Sequence, residues 1–437
     1  MTKLKALLKT LTSRNTRDFL LAVSPTLIVV ISVLVLAHKY VDPAPPRKIV
    51  ISTGDEEGDY QEYAKLYKDF LKENGIELII KSSTGPLENL RRLRDEKSDV
   101  EVAFMQDGLG SSEDVDDLSS LGSLYYEPVW VFYRGQKTIS RFVDFKGLKV
   151  AIGRDGEATQ VLVKRLLEAA KIDGADAHFV SLGGEAAADA LHKGQVDAAI
   201  FVRTPEDALI RALAEDSSLH LMNFDQAEAI TRQNRFLHHL VLPHGTFDLA
   251  RGIPAQDINL VAPTATLLVR DSIHPALSYL LLRAAAQVHS EPGIFEARNE
   301  FPQNKDDQFA LSDEARDFYK SGTPFWQKYL PFWLASLFER LILVVLPAMA
   351  LIIPLARSIP KIMASRVRSR ILKYYGQLRF IETQISHDAS LEHRREFAKQ
   401  IEGIERAVHA MHMPLDFMDH IYVLREHIDF VRRRLTS

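Results

Sequence analysis

Cysteine is missing from all 437 residues, which excludes disulfide staples and thiolate chemistry alike. A basic excess is missing too. Lys and Arg number 54 against 58 Asp and Glu, for a formal net charge of −4, so no nucleic-acid-binding face is expected. Nor does the chain contain HExxH, a P-loop, GxSxG or a kinase signature. Nothing pairs a nucleophile with a base, so neither enzyme activity nor a cofactor is expected. The charge that is present is sorted along the chain. Residues 1–18 carry a net +4, residues 357–437 a net +5, and the stretch between them −13. Basic ends around an acidic centre suit a protein whose two ends share one side of a membrane while the centre lies on the other.

Two apolar stretches fit that topology. Phe19 to Ala37 is free of charge and as a helix would span roughly 28 Å, close to a hydrocarbon core. A cleavable signal peptide is the rival reading, but its apolar region would be shorter, and no small-x-small site follows. The expectation is an anchor over 19–38, with residues 1–18 cytoplasmic. The second stretch, Leu341 to Ala356, extends upstream to Phe332 across Glu339-Arg340. Aromatic Phe325, Trp326, Tyr329 and Trp333 precede it, and Arg357, Lys361, Arg366 and Arg368 follow it. An aromatic belt outside and basic residues inside describe a second span over 332–356. Both ends are then cytoplasmic, and residues 46–325 form a domain facing the periplasm of a bacterial inner membrane. Pro43-Ala-Pro-Pro46 is a stiff spacer beneath that domain.

Within the outer domain, short apolar strands alternate with helices. Ile49 to Ile51 reads as a strand ending in Ser52-Thr53-Gly54, and Tyr60, Tyr63, Ala64, Tyr67, Phe70 and Leu71 are spaced as one face of a helix. Strands are also expected at Ile76–Lys81, Val100–Met105 and Tyr125–Tyr133. The pattern restarts at Lys149–Ile152, with a glycine turn at Gly153–Gly156 and a helix from Thr159. Such alternation implies α/β architecture with mostly parallel sheets. Two similar starts imply two lobes, the first about 46–143 and 236–325 and the second about 144–235, with the glycine turns facing a cleft.

Several pieces, taken in order, resemble the TAXI class of solute-binding subunits of TRAP transporters. They are Ile51-Ser-Thr-Gly54, Ser83-Thr-Gly-Pro-Leu-Glu-Asn-Leu90, Met105-Gln-Asp107, Leu124-Tyr-Tyr-Glu-Pro128, Phe145 to Gly153, and Asp189 to Ala199. Pro292-Gly-Ile-Phe295 with Glu300-Phe-Pro302, followed by a span, is similar to the membrane-tethered members. The resemblance covers roughly residues 46–375. It implies the type II periplasmic-binding fold, a small organic solute closed between two lobes, and transporter permease subunits as partners. Candidate ligand contacts are Thr53, Gly54, Tyr60, Thr84, Gln106, Tyr126, Gly156, Thr159 and Arg203.

The chain departs from that class at two turns. Asp55-Glu-Glu-Gly-Asp59 and Gly156-Glu-Ala-Thr159 stand where small uncharged residues are usual. Acids in a first helical turn cap free N–H groups; alternatively they mark a cationic or zwitterionic ligand, or a metal bound with it. The pair His238-His239 with His244, and His409 with His412, have loose metal-like spacing, although scattered histidines are usually surface or packing residues. No metal site is expected. Residues 357–437 read as a cytoplasmic helical hairpin, with one helix from Arg366 to about Met411, a break at Pro414, and a stripe of Phe417, Ile421, Leu424, Ile428, Val431 and Leu435. Its roles, a homodimer contact or a tail through which a tethered ligand sensor signals, stay open.

Overall fold

The computed structural model describes residues 44–436 apart from residue 57 and segments 111–116, 173–176, 306–307, 388–390 and 411–417; upstream it describes residues 24, 27–32 and 35. The chain divides into two units, 42–339 on the one hand and 1–41 with 340–437 on the other. Of the expected anchor at 19–38, the described positions are helical, and the rest of it lies outside the described residues.

The first unit begins with β1 (Lys48–Ser52), α1 (Asp59–Glu73), β2 (Glu77–Lys81), α2 (Pro86–Arg94), β3 (Val102–Gln106) and β4 (Leu118–Tyr126). After Glu127-Pro128 come β5 (Val129–Tyr133), β6 (Lys149–Ala151), α3 (Ala158–Ala169), β7 (His178–Val180), α4 (Gly184–His192) and β8 (Ala198–Val202). The chain continues through α5 (Ala208–Glu215), β9 (His220–Leu221), α6 (Ala227–Gln233), β10 (His238–Leu242) and β11 (Ile258–Ala262). Pro263 then leads into β12 (Thr264–Arg270), α7 (Pro275–His289), α8 (Asp313–Ser321) and α9 (Phe325–Tyr329).

These elements build two five-stranded sheets, in the orders β2-β1-β3-β12-β4 and β7-β6-β8-β5-β9. In each, three parallel strands meet one antiparallel strand that arrives directly from the other lobe: β12 beside β3, and β5 beside β8. The sheets are therefore mixed rather than mostly parallel. Continuous apolar sequence explains the central positions. All five residues of β3 and all five of β5 are buried, as strands covered on both faces must be. The helices cover them with one stripe each; in α1 it is Tyr60, Ala64, Tyr67 and Leu71, at helical spacing.

The lobe boundaries differ from the expected ones. A single strand over Tyr125–Tyr133 does not form, because Pro128 cannot donate to a sheet ladder; β4 ends before it in one sheet and β5 begins after it in the other. The first crossover is at 127–128 rather than near 143. The second is at Pro263 rather than near 235, since Leu237, Leu240, Leu242, Ile258 and Leu260 pack into the second lobe's core with Trp130 and Phe145.

The long helix α10 (Phe332–His387) starts in the first unit, with Phe332 buried in the first lobe's core and Trp333 packed at its edge. Among the described residues, one helical segment is long and apolar enough to cross a membrane, Phe332–Leu355 within α10. Past the buried Phe332, Ala335 and Ser336 at its start, large apolar side chains are exposed along it, as at Leu337, Leu341, Val345, Leu346 and Met349. In the second unit, α10 runs on without a break to His387, past Pro347 and Pro354.

The expected single helix from 366 to 411 does not form. Helix α11 (Leu391–His409) is separate from α10, and α12 (Met418–Thr436) follows. Ile371, Leu378 and Ile381 of α10 pack with Ile401, Ile404 and Val408 of α11 and with Ile421, Leu424, Ile428, Val431 and Leu435 of α12. Three helices therefore share the core that a hairpin of two was expected to make. The expected break at Pro414 lies outside the described residues, as does Phe417.

Trp130 gives the fold a direct test. It is fully buried, and its indole N–H donates to the Arg203 carbonyl at 2.8 Å. Trp130→Ala should cost about 3–5 kcal/mol, whereas Val143→Ala, 38% exposed, should stay within about 0.5 kcal/mol. Urea midpoints of the two variants measure the difference.

Candidate functional site

The parallel strands of both sheets end at one crevice between the lobes, where open α/β sheets place their ligand sites. Gly54 follows β1, Thr84 follows β2, and Gln106 closes β3. Gly153 follows β6, Gly183 and Gly184 follow β7, and Arg203 follows β8. All of these line one cavity together with Asp59, Tyr60, Glu127, Glu157 and Phe201.

The first-lobe wall is held from behind by Asn89. Its Oδ1 accepts from Ser52 Oγ at 2.6 Å and Ser83 Oγ at 2.7 Å. Its amide donates to the carbonyls of Thr53 and of Phe104, the latter at 2.8 Å. One buried amide thus ties the ends of β1, β2 and β3 together. The Thr84 N–H and hydroxyl both donate to Glu88 Oε2, at 2.7 and 2.8 Å, so a carboxylate of α2 itself caps that turn.

The second-lobe wall repeats the device. The Arg154 N–H donates to Glu157 Oε2 at 2.8 Å. Gly153 has φ of +97°, and a Cβ there would meet the Gln160 N–H at 2.9 Å, so this turn admits little but glycine. Arg203 pairs with Asp207 at 2.6 Å, and the Asp207 carboxylate also caps α5 by accepting from the Leu209 and Ile210 N–H groups. Among the described residues, several contacts join the two lobes, including Arg165 to the Gly108 carbonyl. The Thr204 N–H donates to Asp59 Oδ2 at 3.1 Å, and Arg154 meets Asp55 at 3.2 Å at the exposed rim.

The floor is where the chain passes between lobes. The Glu127 N–H donates to the Pro263 carbonyl at 2.9 Å, so the two crossovers are bonded to each other. The Glu127 side chain is 6% exposed, and the Tyr60 hydroxyl donates to it at 3.3 Å. Burial, with the nearby negative charge of Asp59, pushes its carboxyl up to about 8 against an ordinary 4.5. Asp59 is also raised, first by burial and further by Asp207, against the lowering effect of the Thr204 bond. Beside Glu127, Gln106 is 2% exposed. Its amide reaches the cavity and makes no hydrogen bond with the described residues.

Of the expected ligand contacts, Gly54, Tyr60, Thr84, Gln106, Thr159 and Arg203 line the cavity. Thr53, Tyr126 and Gly156 do not. The Thr53 hydroxyl turns inward to Gln61 Oε1 at 2.6 Å. Tyr126 points away, its hydroxyl donating to Glu300 Oε1 at 2.7 Å and accepting from Lys305 Nζ at 2.8 Å. Gly156 is an exposed turn residue. Asp59, Glu127, Glu157, Gly183 and Gly184 were missing from the expected set. For Glu127 the usable signal was strand alternation, since it faces opposite to its neighbour Tyr126.

The histidines go elsewhere. His238 packs on the Tyr126 ring, and His239 Nε2 lies 2.8 Å from Asn259 Oδ1. His409 Nδ1 lies 3.1 Å from the Glu405 carbonyl, and His412 is outside the described residues. Among the described residues no group of three or more His, Asp or Glu is arranged to hold a metal ion.

Two α/β lobes, exchanging strands through paired crossovers above a polar floor, define an architecture of the periplasmic-binding-protein kind. The chain belongs to the NMT1-like family, whose model matches residues 58–291. Its structure is similar to the periplasmic aliphatic sulphonate binding protein of Escherichia coli, at 15% identity over 72% of this chain and 84% of that one, with a TM-score of 0.39. It is similar to the alkanesulfonate-binding protein of Xanthomonas axonopodis pv. citri bound to MOPS, at 16% identity over 57% of this chain and 82% of that one, TM-score 0.34. An ancestral arginine-binding protein bound to arginine matches at 15% identity over 55% of this chain and 92% of that one, TM-score 0.36. These are likenesses of fold alone.

Glu127 predicts how stability responds to pH. Its folded value near 8 lies above the ordinary 4.5, so the fold favours the protonated form. That contribution is fully present below about pH 4.5 and is lost as pH rises through 8, at up to about 1.4 kcal/mol per pH unit. Glu127→Gln keeps a neutral side chain of the same shape and should escape the loss. Urea unfolding of parent and variant at pH 5, 6, 7 and 8 should diverge steadily in the variant's favour; parallel curves would show that Glu127 is ionised in the fold.

Proposed function

We propose that this protein is a membrane-anchored solute-binding protein, which captures a small organic solute between its lobes and presents it to a TRAP-type transporter. The observation that carries the reading is the crevice floor. Gln106 and Glu127 are buried polar side chains at the bonded crossovers, on a cavity walled by glycine turns of both lobes. Buried polar side chains on a cavity wall are suited to a polar partner, because burying them without one is costly. Family membership and the two-lobed fold support solute capture. The resemblance in the glycine turns and in Leu124–Pro128 supports the TAXI class, and the similar structures include proteins bound to MOPS and to arginine, both small charged solutes.

The remaining assignments follow from the same reading. Helix 332–355 and the apolar stretch at 19–38 anchor the chain in a bacterial inner membrane, with the lobes in the periplasm and both termini in the cytoplasm. The protein captures its solute without transforming it. Transport requires permease partners, because two spans are too few for a path of their own.

A second reading, a tethered ligand sensor, is favoured by one observation. Helix α10, whose first residue Phe332 is buried in the first lobe's core, continues as one helix to His387.

Gentle purification of the tagged full-length protein, followed by identification of its partners, separates the two readings. A multi-span permease is expected with a transport subunit, and soluble cytoplasmic proteins alone would favour the sensor. Solute capture itself should appear in a thermal-shift screen of the full chain, since a ligand at 100 times its Kd stabilises by about 2.7 kcal/mol.

A further inference from the structure

The cavity has more carboxylates than cations. Asp55, Asp59, Glu127 and Glu157 line it, and Arg203 is the cation among the lining residues. That guanidinium is already engaged by Asp207 at 2.6 Å. At the rim Arg154 is shared between Asp55 at 3.2 Å and Glu157 at 3.9 Å. Asp59 and Glu127 have no cation within ion-pair distance among the described residues. The helix starts around the crevice would ordinarily favour an anion, but the protein's own carboxylates occupy that role: Glu88 caps the turn before α2, Glu157 the turn before α3, and Asp207 the start of α5.

Two further observations point the same way. The mouth that opens from the cavity adds Glu56, Glu62, Glu185 and Glu206, while its cations are again Arg154 and Arg203. A mouth of one sign concentrates solutes of the other and speeds their capture. Inside, the Gln106 amide, 2% exposed and without a hydrogen bond among the described residues, is a buried polar group on the cavity wall whose carbonyl can accept from an ammonium or guanidinium head. Among the described residues no group of three or more His, Asp or Glu is arranged to hold a bare metal ion, whereas an ammonium or guanidinium head can be held by two carboxylates.

We propose that the crevice selects an organic cation, an amine or guanidinium solute whose charged head is held by Asp59 and Glu127 beside the Gln106 amide, while its carbon skeleton lies on Tyr60 and Phe201. The inference rests on the solute-capture reading and names the substrate class of that site. Binding then competes with the proton on Glu127. The charged and titratable groups facing that carboxyl are Asp59 and Tyr60 of α1 and Tyr125 of β4, and Arg203 after β8 lines the same cavity. With Glu127 near 8, affinity for a permanent cation should rise about tenfold per pH unit from pH 6 toward 8 and then level off.

The test is calorimetry and thermal shift on the full-length protein with putrescine, agmatine and arginine as cationic probes, glutamate, 2-oxoglutarate and ethanesulfonate as anions, and Ca²⁺ alone. Stabilisation by at least one amine or guanidine and by none of the anions is expected. For the best probe, Asp59→Asn should weaken binding at least tenfold. Glu127→Gln should flatten the pH dependence between 6 and 8, with circular dichroism confirming that both variants are folded. Stabilisation by anions or by Ca²⁺ in place of amines would overturn the cation class while leaving solute capture intact. A pH profile unchanged in Glu127→Gln would overturn the role of that carboxyl. If nothing in the panel binds, solute capture falls, and the cation class with it.

Discussion

The hydrogen bond between the Glu127 N–H and the Pro263 carbonyl, 2.9 Å long, joins two of the points at which the described chain passes between its lobes; further on, Ile294, Phe295 and Phe301 pack back against the second lobe's core. At each point a proline ends one sheet's ladder, and the next strand enters the other sheet antiparallel to its neighbour. Everything that shapes the crevice depends on this exchange. It sets the carboxyl ends of two parallel strand triplets against each other, and it places Glu127 and Gln106 on a shared floor. A bonded pair of crossovers also limits how the lobes can move. Rotation about the two segments is soft, whereas sliding would break the bond and leave buried backbone groups unpaired.

Around that hinge, the same chemical economy recurs. Glycine turns expose backbone N–H groups, and carboxylates from the protein itself take up several of them. Glu88 reaches Thr84, Glu157 reaches Arg154, and Asp59 reaches across to Thr204. A crevice that already supplies its own anions presents a different field from one built of bare helix starts. Asp55, Asp59 and Glu157 of the two turns are thus more than stray surface charge. They finish the turns and, in doing so, set the sign of the site.

The second unit follows separate physics. Its three helices share an aliphatic core in which Ile381, Ile401 and Ile428 are each nearly inaccessible. That core needs no contribution from the crevice. Gly376 and Gly403 lie inside its helices with open space around them, so they are tolerated there without being required by packing.

Local pattern determined much of this protein. The alternation of short apolar runs with helical stripes specified α/β lobes, glycines after β1 and β6 specified the turns, and the uncharged stretch from Leu341 marked a helix of membrane-spanning length. Those features are legible because each depends on residues within one or two turns of each other. Tertiary structure decided the rest. Pro128 breaks Tyr125–Tyr133 into two strands, but which sheet each one joins is not encoded in periodicity. Tyr126 and Glu127 are adjacent, yet one faces Glu300 and Lys305 and the other the cavity. Thr53 turned inward because Gln61 was there to receive it. Asp59 gained its partner from Thr204, 145 residues away, and the Glu127 carboxyl is pushed up by burial. Such partners meet only when the chain has closed, so their chemistry belongs to the fold rather than to the sequence around them.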